Sequence, residues 1–448
     1  MKYSPVLLLG GAAFAAADLF CEGAVQDALG NYFCPPSVKQ IKYTGLDVPG
    51  KYRRVSQMDN SGTCVFEDRE YSGPIAPYDE DLSLHFRGPL QLHQVAVYLP
   101  GSTATKSHSK RHGHQHLHKK HQHQHEERAV GEVVYATING QVQSWTNTYA
   151  GPTPDAPADA PPAPTKAPQK SADKPAGKPG KGSKSPVNNG KKVHGGDDTY
   201  PTAPSGDFVR SAYYEASSGT AEGLVFLANV GDPQISGTWD TVWGSSLGYV
   251  DENGASCAAS ATVLKDTLLD DNKEIAIFSD IPCDESCGAY RPDSVAYKGF
   301  AGASKVFIVQ MTMPLSGKTG WNMDMPSYWL LNAAIPRTGQ YTSCSCWQGD
   351  FASPLDGGCG ELDVLEILSS GDCRGKSTFH FANGVGDSHY FDRPTEGPIT
   401  LALVTDPNSA SVSIKELDNF AFDQTLTADQ VQAMIDDATG SIKMAFAH

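Results

Sequence analysis

The chain has 448 residues, a formal net charge of −16 and 39% hydrophobic residues. From residue 201 to the end it carries 32 acidic and 13 basic residues. A region this acidic repels phosphate backbones, which excludes nucleic acids and other polyanions as expected partners and leaves neutral ligands open.

The N-terminus has the pattern of a secretory signal peptide. Lys2 precedes an apolar stretch over residues 6–16, and the small residues at 15–17 predict cleavage after Ala17. The apolar stretch is too short to span a bilayer, and no second long apolar run follows it. Residues 1–17 are therefore expected to be removed, and the mature protein is expected to be secreted, monomeric and free of membrane contact.

All ten cysteines lie beyond the signal peptide, which in a secreted protein predicts disulfide bonds. Three of them precede residue 65 and seven follow residue 250, so either one bridge joins the two parts or two thiols stay free. Zinc ligation is the alternative, but the spacings do not form a paired zinc-ribbon pattern. We therefore predict disulfides and no metal site.

Residues 18–100 are predicted to form a small β-rich module, with strands near 82–87 and 94–98. Residues 101–130 form a His-rich insert, in which eight of the fourteen histidines lie between His108 and His125. This insert is either a metal-binding tract, such as a zinc or copper buffer, or a solvated disordered segment, and its composition favours the second. Lys110-Arg111 fits both a dibasic processing site and an exposed basic linker.

Two further segments separate this module from the C-terminal part. Residues 131–150 predict a β-hairpin, because Asn139-Gly140 stands between two alternating runs. Residues 151–205 are rich in Pro, Ala, Lys, Gly and Ser and cannot bury a core, which predicts a disordered linker.

Residues 206–448 predict one all-β domain, since many short strands alternate with Gly, Pro, Asp and Asn as in a sandwich of two antiparallel sheets. The helix signal lies near the end of the chain, where Thr427 and Gln430 form a capping box and Gly440 marks the expected end. The predicted strands are 223–230, 274–278, 305–313, 327–332, 361–368, 377–381, 399–404 and 410–414.

The most informative motif is the run Glu361-Leu-Asp363-Val-Leu-Glu366 within a predicted strand. Side chains alternate in a strand, so Glu361 and Asp363 share one face and Glu366 points to the other. Val364 and Leu365 are adjacent apolar residues, which breaks the alternation where a β-bulge would bring Glu366 to the same face. A solvated acidic strand is the alternative, but it would alternate apolar and polar residues throughout.

Four aromatic residues precede this strand: Trp321, Tyr328, Trp329 and Trp347. Aromatic rings stack on the apolar faces of sugars, although a single tryptophan more often packs in a core. As a group beside three carboxylates, they predict the wall of a glycan cleft. His380 is a further candidate to line this cleft, although a lone strand histidine is more often structural.

The run 361–366 resembles the E-x-D-x-x-E signature of glycoside hydrolase family 16 in its β-bulge form, and 325–331 resembles the aromatic strand that precedes it there. Over nearly all of the chain outside the linkers, the sequence is similar to fungal TOS-one-like cell-wall proteins, a family of glucan hydrolases. That resemblance rests on the motifs 85–92, 328–341, 344–347, 359–361, 378–381 and 384–394.

This resemblance implies a concanavalin-A-like jelly roll and an endo-1,3-β-glucosidase that acts on β-glucan of the fungal cell wall without a cofactor. It implies that Glu361 is the nucleophile, Asp363 an assisting carboxylate, and Glu366 the general acid and base of a retaining mechanism. A structural calcium is allowed by the fold. A glucan transglycosylase and a non-catalytic glucan-binding wall protein remain as alternatives.

Overall fold

The computed structural model describes residue 21 and residues 23–101, 133–138, 141–146, 207–347, 358–380, 385–386 and 388–445. The signal peptide, the His-rich tract 108–125 and the linker 151–205 lie outside these residues. The chain divides into two compact units, one made of residues 1–108 and 198–448 and the other of residues 109–197. In the second unit the structure describes the predicted hairpin, as β8 (Val133–Ile138) and β9 (Gln141–Thr146), which pair antiparallel.

Two ten-stranded sheets build the first unit, with strands numbered in chain order through the whole protein. We call the first the back sheet. Its strands are β3 (Gln40–Thr44), β7 (Leu90–Pro100), β10 (Phe208–Glu215), β11 (Thr220–Glu222), β17 (Leu268–Leu269), β19 (Lys305–Thr312), β25 (Ile399–Asp406), β26 (Ser411–Glu416), β27 (Thr425–Leu426) and β28 (Ser441–Ala445). Its described pairs are antiparallel except for β28 with β3.

We call the second the carboxylate sheet, because it contains the run 361–366. Its strands are β6 (Leu82–Arg87), β12 (Leu224–Ala228), β15 (Gly248–Val250), β16 (Cys257–Ala258), β18 (Glu274–Ser279), β20 (Ser327–Asn332), β21 (Glu361–Glu366), β22 (Arg374–His380), β23 (Val385–Gly386) and β24 (Phe391–Asp392). Its central order is β12-β18-β6-β20-β21-β22.

Smaller elements complete the unit. They are the pairs β1 (Val25–Gln26) with β2 (Tyr32–Phe33), β4 (Gly50–Met58) with β5 (Cys64–Tyr71), and β13 (Trp239–Asp240) with β14 (Gly244–Ser245), a 3-10 turn (Glu285–Cys287), and helices α1 (Ala334–Thr338) and α2 (Ala428–Ile435). Helix α2 begins with the predicted Thr427–Gln430 capping box but ends at Ile435, before Gly440.

The hydrophobic core lies between the two sheets. Strand residues such as Phe307 and Leu401 of the back sheet pack against Phe86, Leu330 and Leu362 of the carboxylate sheet. This burial of one face of each sheet is the physical reason for the period-two apolar pattern of the strands. The predicted all-β sandwich is confirmed.

The expected boundary between an N-terminal module and a C-terminal domain does not separate two compact units. Strand β6 lies between β18 and β20 in the carboxylate sheet, and β7 lies between β10 and β19 in the back sheet. Both strands come from residues 82–100, so the N-terminal segment supplies interior strands to each sheet. Local strand signals identify these strands but carry no information on their neighbours.

The cysteine spacing allowed either a bridge between the two parts of the chain or two free thiols, and the structure has both. Cys64–Cys344 joins the early and late parts of the chain, and Cys21–Cys34, Cys283–Cys287 and Cys346–Cys359 are local. Cys257 and Cys373 remain as thiols. The bridge between residues 64 and 344 fastens the β4–β5 hairpin to the segment that follows α1.

Candidate active site

Strand β21 contains the predicted bulge. Trp329 pairs with Asp363 whereas the preceding Tyr328 pairs with Leu365, which leaves Val364 as the additional residue. Val364 and Leu365 both lie in the core between the sheets. Because two consecutive side chains point inward, Glu366 returns to the face that carries Asp363.

Glu361 is held through its side chain and its backbone. The indole N–H of Trp347 donates a hydrogen bond to the Glu361 carboxylate. The hydroxyl of Tyr78 donates to the Glu361 carbonyl oxygen at 2.5 Å. Gly360 precedes it with φ +111°, and a Cβ there would lie 3.0 Å from the Tyr78 ring, so both the backbone angle and the close ring require glycine.

Asp363 pairs with His380 from the neighbouring strand β22. The His380 Nε2 atom lies 2.9 Å from Asp363 Oδ2. Burial disfavours the charged imidazole, but the hydrogen bond to Asp363 and the negative charges of the three acids outweigh it and raise the pKa of His380 to about 9. His380 is therefore a cation at neutral pH and orients the central carboxylate.

Glu366 pairs with Arg87 from β6. Arg87 Nη2 donates to Glu366 Oε1 at 3.0 Å, and Arg87 Nε donates to the Met325 carbonyl oxygen at 2.9 Å. Arg87 Nη1 lies 4.0 Å from a fourth carboxylate, Glu274 of β18. A single guanidinium thus lies between two carboxylates.

The two outer glutamates hold protons more strongly than ordinary glutamates. Burial and the negative charge of Asp363 raise the pKa of Glu361, against the opposing effects of His380 and Trp347. Burial and Asp363 likewise raise the pKa of Glu366, against the opposing charge of Arg87. Close acids that resist full ionisation retain a proton near neutral pH, so the group can supply one carboxylate and one carboxylic acid.

The predicted aromatic residues have three different environments. Trp347 is half-buried beside Glu361, and Trp321 is 67% exposed in the loop before β20. Trp329 is on the carboxylate face but only 4% exposed, because it packs into an apolar group that we call the covered patch. The buried members of the covered patch are Tyr52, Trp329, Leu331, Ile335, Cys346 and Cys359.

The prediction that Tyr328 lines the cleft is wrong. Its side chain is fully buried in the core between the sheets and stacks on Phe86 with ring centroids 5.0 Å apart. Adjacent strand residues face opposite ways, so Tyr328 and Trp329 cannot share a face of β20. The register with the bulged strand β21 places Trp329 on the carboxylate side.

Sequence reasoning missed three residues near the carboxylates: Arg87, Glu274 and Tyr341. The Tyr341 hydroxyl donates a hydrogen bond to Glu274 at 2.5 Å. Arg87 and Tyr341 belong to motifs that carried the family resemblance, but no spacing rule connects them with residue 366. Glu274 begins a predicted strand and had no distinguishing signal.

In the described residues, no group of three or more His, Cys, Asp or Glu side chains is placed to hold a metal ion. Across the same parts of the chain, no helix is both long and apolar enough to cross a membrane.

Comparisons with known proteins match both parts of the first unit. Residues 39–100 and 206–434 match the models described as cell wall protein YJL171C/Tos1, N-terminal and C-terminal. A protein of Arthroderma benhamiae named "Probable circularly permuted 1,3-beta-glucanase" is 38% identical, with 97% of each chain covered. Two proteins named "Probable circularly permuted 1,3-beta-glucanase TOS1" are similar: one of Candida albicans is 34% identical over 99% of both chains, and one of Saccharomyces cerevisiae is 33% identical over 92% of this chain and 93% of its own. No solved structure matches the chain.

Proposed function

The chain belongs to the cell wall protein YJL171C/Tos1 family, and we propose that it is a secreted glycosidase that cleaves β-1,3-glucan of the fungal cell wall with retention of anomeric configuration. The names of its relatives support the substrate class. The arrangement of strands also agrees with those names, because β6 and β7 lie before the long linker in sequence but occupy interior positions among strands that follow it.

The observation that carries the proposal is the shared face of Glu361, Asp363 and Glu366 on the bulged strand. In a retaining mechanism, Glu361 attacks the anomeric carbon while Glu366 gives its proton to the leaving oxygen, and a glycosyl-enzyme ester forms. Glu366, now a carboxylate, then takes a proton from water as the water oxygen displaces the sugar from Glu361.

The neighbouring contacts support these roles. Attack requires a charged Glu361, although burial and Asp363 raise the pKa of Glu361 to about 8, above that of Glu366 at about 7. In the proposed mechanism the shared proton therefore moves to Glu366 before attack, and the N–H of Trp347 and the charge of His380 favour the charged form of Glu361. The first step requires a protonated Glu366, which burial and Asp363 favour, and the second requires its carboxylate, which Arg87 favours. Asp363, paired with His380, is a positioning carboxylate whose charge keeps a proton on the outer acids.

The sequence and the family support a location at the cell wall. We propose that residues 1–17 are removed on export and that the protein acts as a monomer on wall glucan. The described residues of the proposed site all lie in the first unit.

Glu361→Gln and Glu366→Gln test the proposal with laminarin as substrate. Each variant should reduce the release of reducing ends by roughly 10³-fold or more, because neither amide can attack or transfer a proton. Glu416→Gln is the matched control, since Glu416 lies on the back sheet and pairs with Lys39. Undiminished turnover by either site variant would contradict the proposal.

The configuration of the first product supplies a second test. Proton NMR of fresh digests should show the β-anomer before mutarotation. An initial α-anomer would exclude the retaining mechanism. Binding of laminarin by the wild-type protein with no reducing-end release would favour a glucan-binding wall protein instead.

A further inference from the structure

A row of polar side chains crosses the carboxylate sheet away from Glu366. Ser327 pairs with Glu366 on one side and Arg87 on the other, and Arg87 pairs in turn with Glu274. The register of β12 with β18 continues this row to Asn229, just after β12. We call Glu366, Arg87, Glu274 and Asn229 the open row. Three strand spacings separate β21 from β18, a distance of about 14 Å.

Tyr341 lies over the far end of the open row in an unusual state. The residue is 68% exposed, yet its hydroxyl makes two hydrogen bonds. It donates to Glu274 Oε2 and accepts from Gln340 Nε2 at 2.9 Å. Gln340 in turn accepts from Asn229 Nδ2 at 3.3 Å. An exposed tyrosine is normally free to change rotamer, whereas this ring is held in place over a sheet face.

The next rows of the same sheet face are closed. Ala276 and Phe278 of β18 and Leu227 of β12 are buried under Leu247 and Ala333. A ligand that extends from Glu366 across β6 and β18 therefore meets the open row, where Arg87, Glu274 and Asn229 provide polar atoms and Tyr341 an aromatic surface. This combination of a fixed ring with polar groups at its edge suits the apolar face and the hydroxyls of a sugar.

We propose that Tyr341, Glu274 and Asn229 form a further sugar-binding position, which holds a glucosyl residue beyond the one attacked at the carboxylates. This inference rests on the proposed function for the identity of the sugar. The hydrogen bonds of Tyr341 fix its ring before binding, so little side-chain entropy is lost when a sugar stacks on it. The position contributes to binding of long chains and has no part in bond cleavage.

Kinetics with β-1,3-linked glucose oligomers of increasing length test this position. Tyr341→Ala should raise KM roughly tenfold for the long oligomers, leave kcat within about twofold, and leave KM for the shortest cleaved oligomer unchanged. Tyr341→Phe keeps the ring but frees it and should show a smaller, length-dependent increase. Tyr290→Ala, which removes an exposed tyrosine at another site, is the matched control.

Binding measurements separate this inference from the proposed function. Calorimetry with a β-1,3-linked glucose hexamer should give about tenfold weaker binding for Glu361→Gln/Tyr341→Ala than for Glu361→Gln alone. If the wild-type protein cleaves no glucan but this difference persists, glycosidase activity is excluded and the sugar position stands. Equal hexamer affinity, or a KM change independent of length, overturns the position while the proposed function stands. Absence of both binding and cleavage overturns both.

Discussion

The open row and the covered patch lie on the same face of one sheet, yet their side chains have opposite environments. Arg87 and Glu274 of the open row are charged side chains that remain 11% and 20% exposed, whereas Trp329 and Leu331 of the covered patch are apolar and buried beneath the β4–β5 hairpin and α1. The open row begins at Glu366, whose burial beside Asp363 costs stability. The covered patch contributes apolar burial and fixes the segment that carries Trp347.

This division explains how a strained group of acids is tolerated. Burying glutamates beside Asp363 disfavours their charged forms, so the site destabilises the folded state at neutral pH. The covered patch offsets that cost with large buried side chains and with disulfides on both sides of Ser345. Variants of the two regions should therefore separate stability from catalysis.

The largest expected effect on stability belongs to the covered patch. Trp329→Ala should lower the free energy of unfolding by about 3–5 kcal/mol, because it removes a buried indole and leaves a cavity. Urea denaturation measures the change. Trp239→Ala, at a site that is half exposed, is the control and should cost much less. If Trp329→Ala lowered the free energy of unfolding by less than about 1 kcal/mol, the Trp329 ring would not contribute to the stability of the covered patch.

The bridge that fastens the β4–β5 hairpin should contribute somewhat less. Replacing Cys64 and Cys344 together by serine should cost about 2–4 kcal/mol, since the bridge closes a long loop of the unfolded chain. The control replaces Cys283 and Cys287, which lie four positions apart and close a short loop. Equal losses of unfolding free energy for the two double variants would show that loop closure is not the source of the effect.

The group of three acids, Glu361, Asp363 and Glu366, should behave in the opposite way. The Glu361 pKa in the folded protein is raised, so the folded state binds the proton more tightly than the unfolded chain does. The charged carboxylate therefore becomes a growing penalty as the pH rises above the ordinary glutamate value of 4.5 towards about 8. Glu361→Gln removes it and should raise the unfolding temperature more at pH 8 than at pH 5. A stability gain independent of pH would contradict this explanation.

The smallest expected effect is a shift in the pH dependence of activity. Arg87 lowers the pKa of Glu366, so its replacement by methionine should raise that pKa and keep the acid protonated to higher pH. The basic limb of kcat/KM on laminarin should move upward by about one pH unit. Arg87→Lys keeps the charge and should shift less. If the basic limb of kcat/KM were unchanged in Arg87→Met, Arg87 would not control the pKa of the acid whose ionisation this limb reports.

Much of the candidate site could be predicted because its signals are local. The adjacent Val364 and Leu365 within an alternating strand predicted the bulge, and the register confirms it. The choice between Tyr328 and Trp329 could not be made in the same way. Two neighbouring aromatic residues must face opposite sides, and which side is buried depends on pairing with another strand.

The partners of the acids were beyond sequence reasoning for a related reason. Arg87 lies 279 positions from Glu366, and Tyr78 lies 283 positions from Glu361. The short helix α1 was also missed, since its five residues lack a side-chain cap and depend on packing against the covered patch. Neither these two long-range contacts nor helix α1 can be recognised from a short stretch of neighbouring residues.

By itself the sequence determined strands such as β6, β19, β20 and β21, the bulge and the capping box at Thr427, because each depends on residues a few positions apart and on the geometry of one backbone segment. Only the tertiary structure decided that β6 lies beside β20, that Cys64 pairs with Cys344, and that Trp329 is covered. These outcomes depend on how the buried faces of distant strands pack together. The carboxylate group thus follows from one hexapeptide, whereas its control by Arg87, His380 and Trp347 follows from the fold.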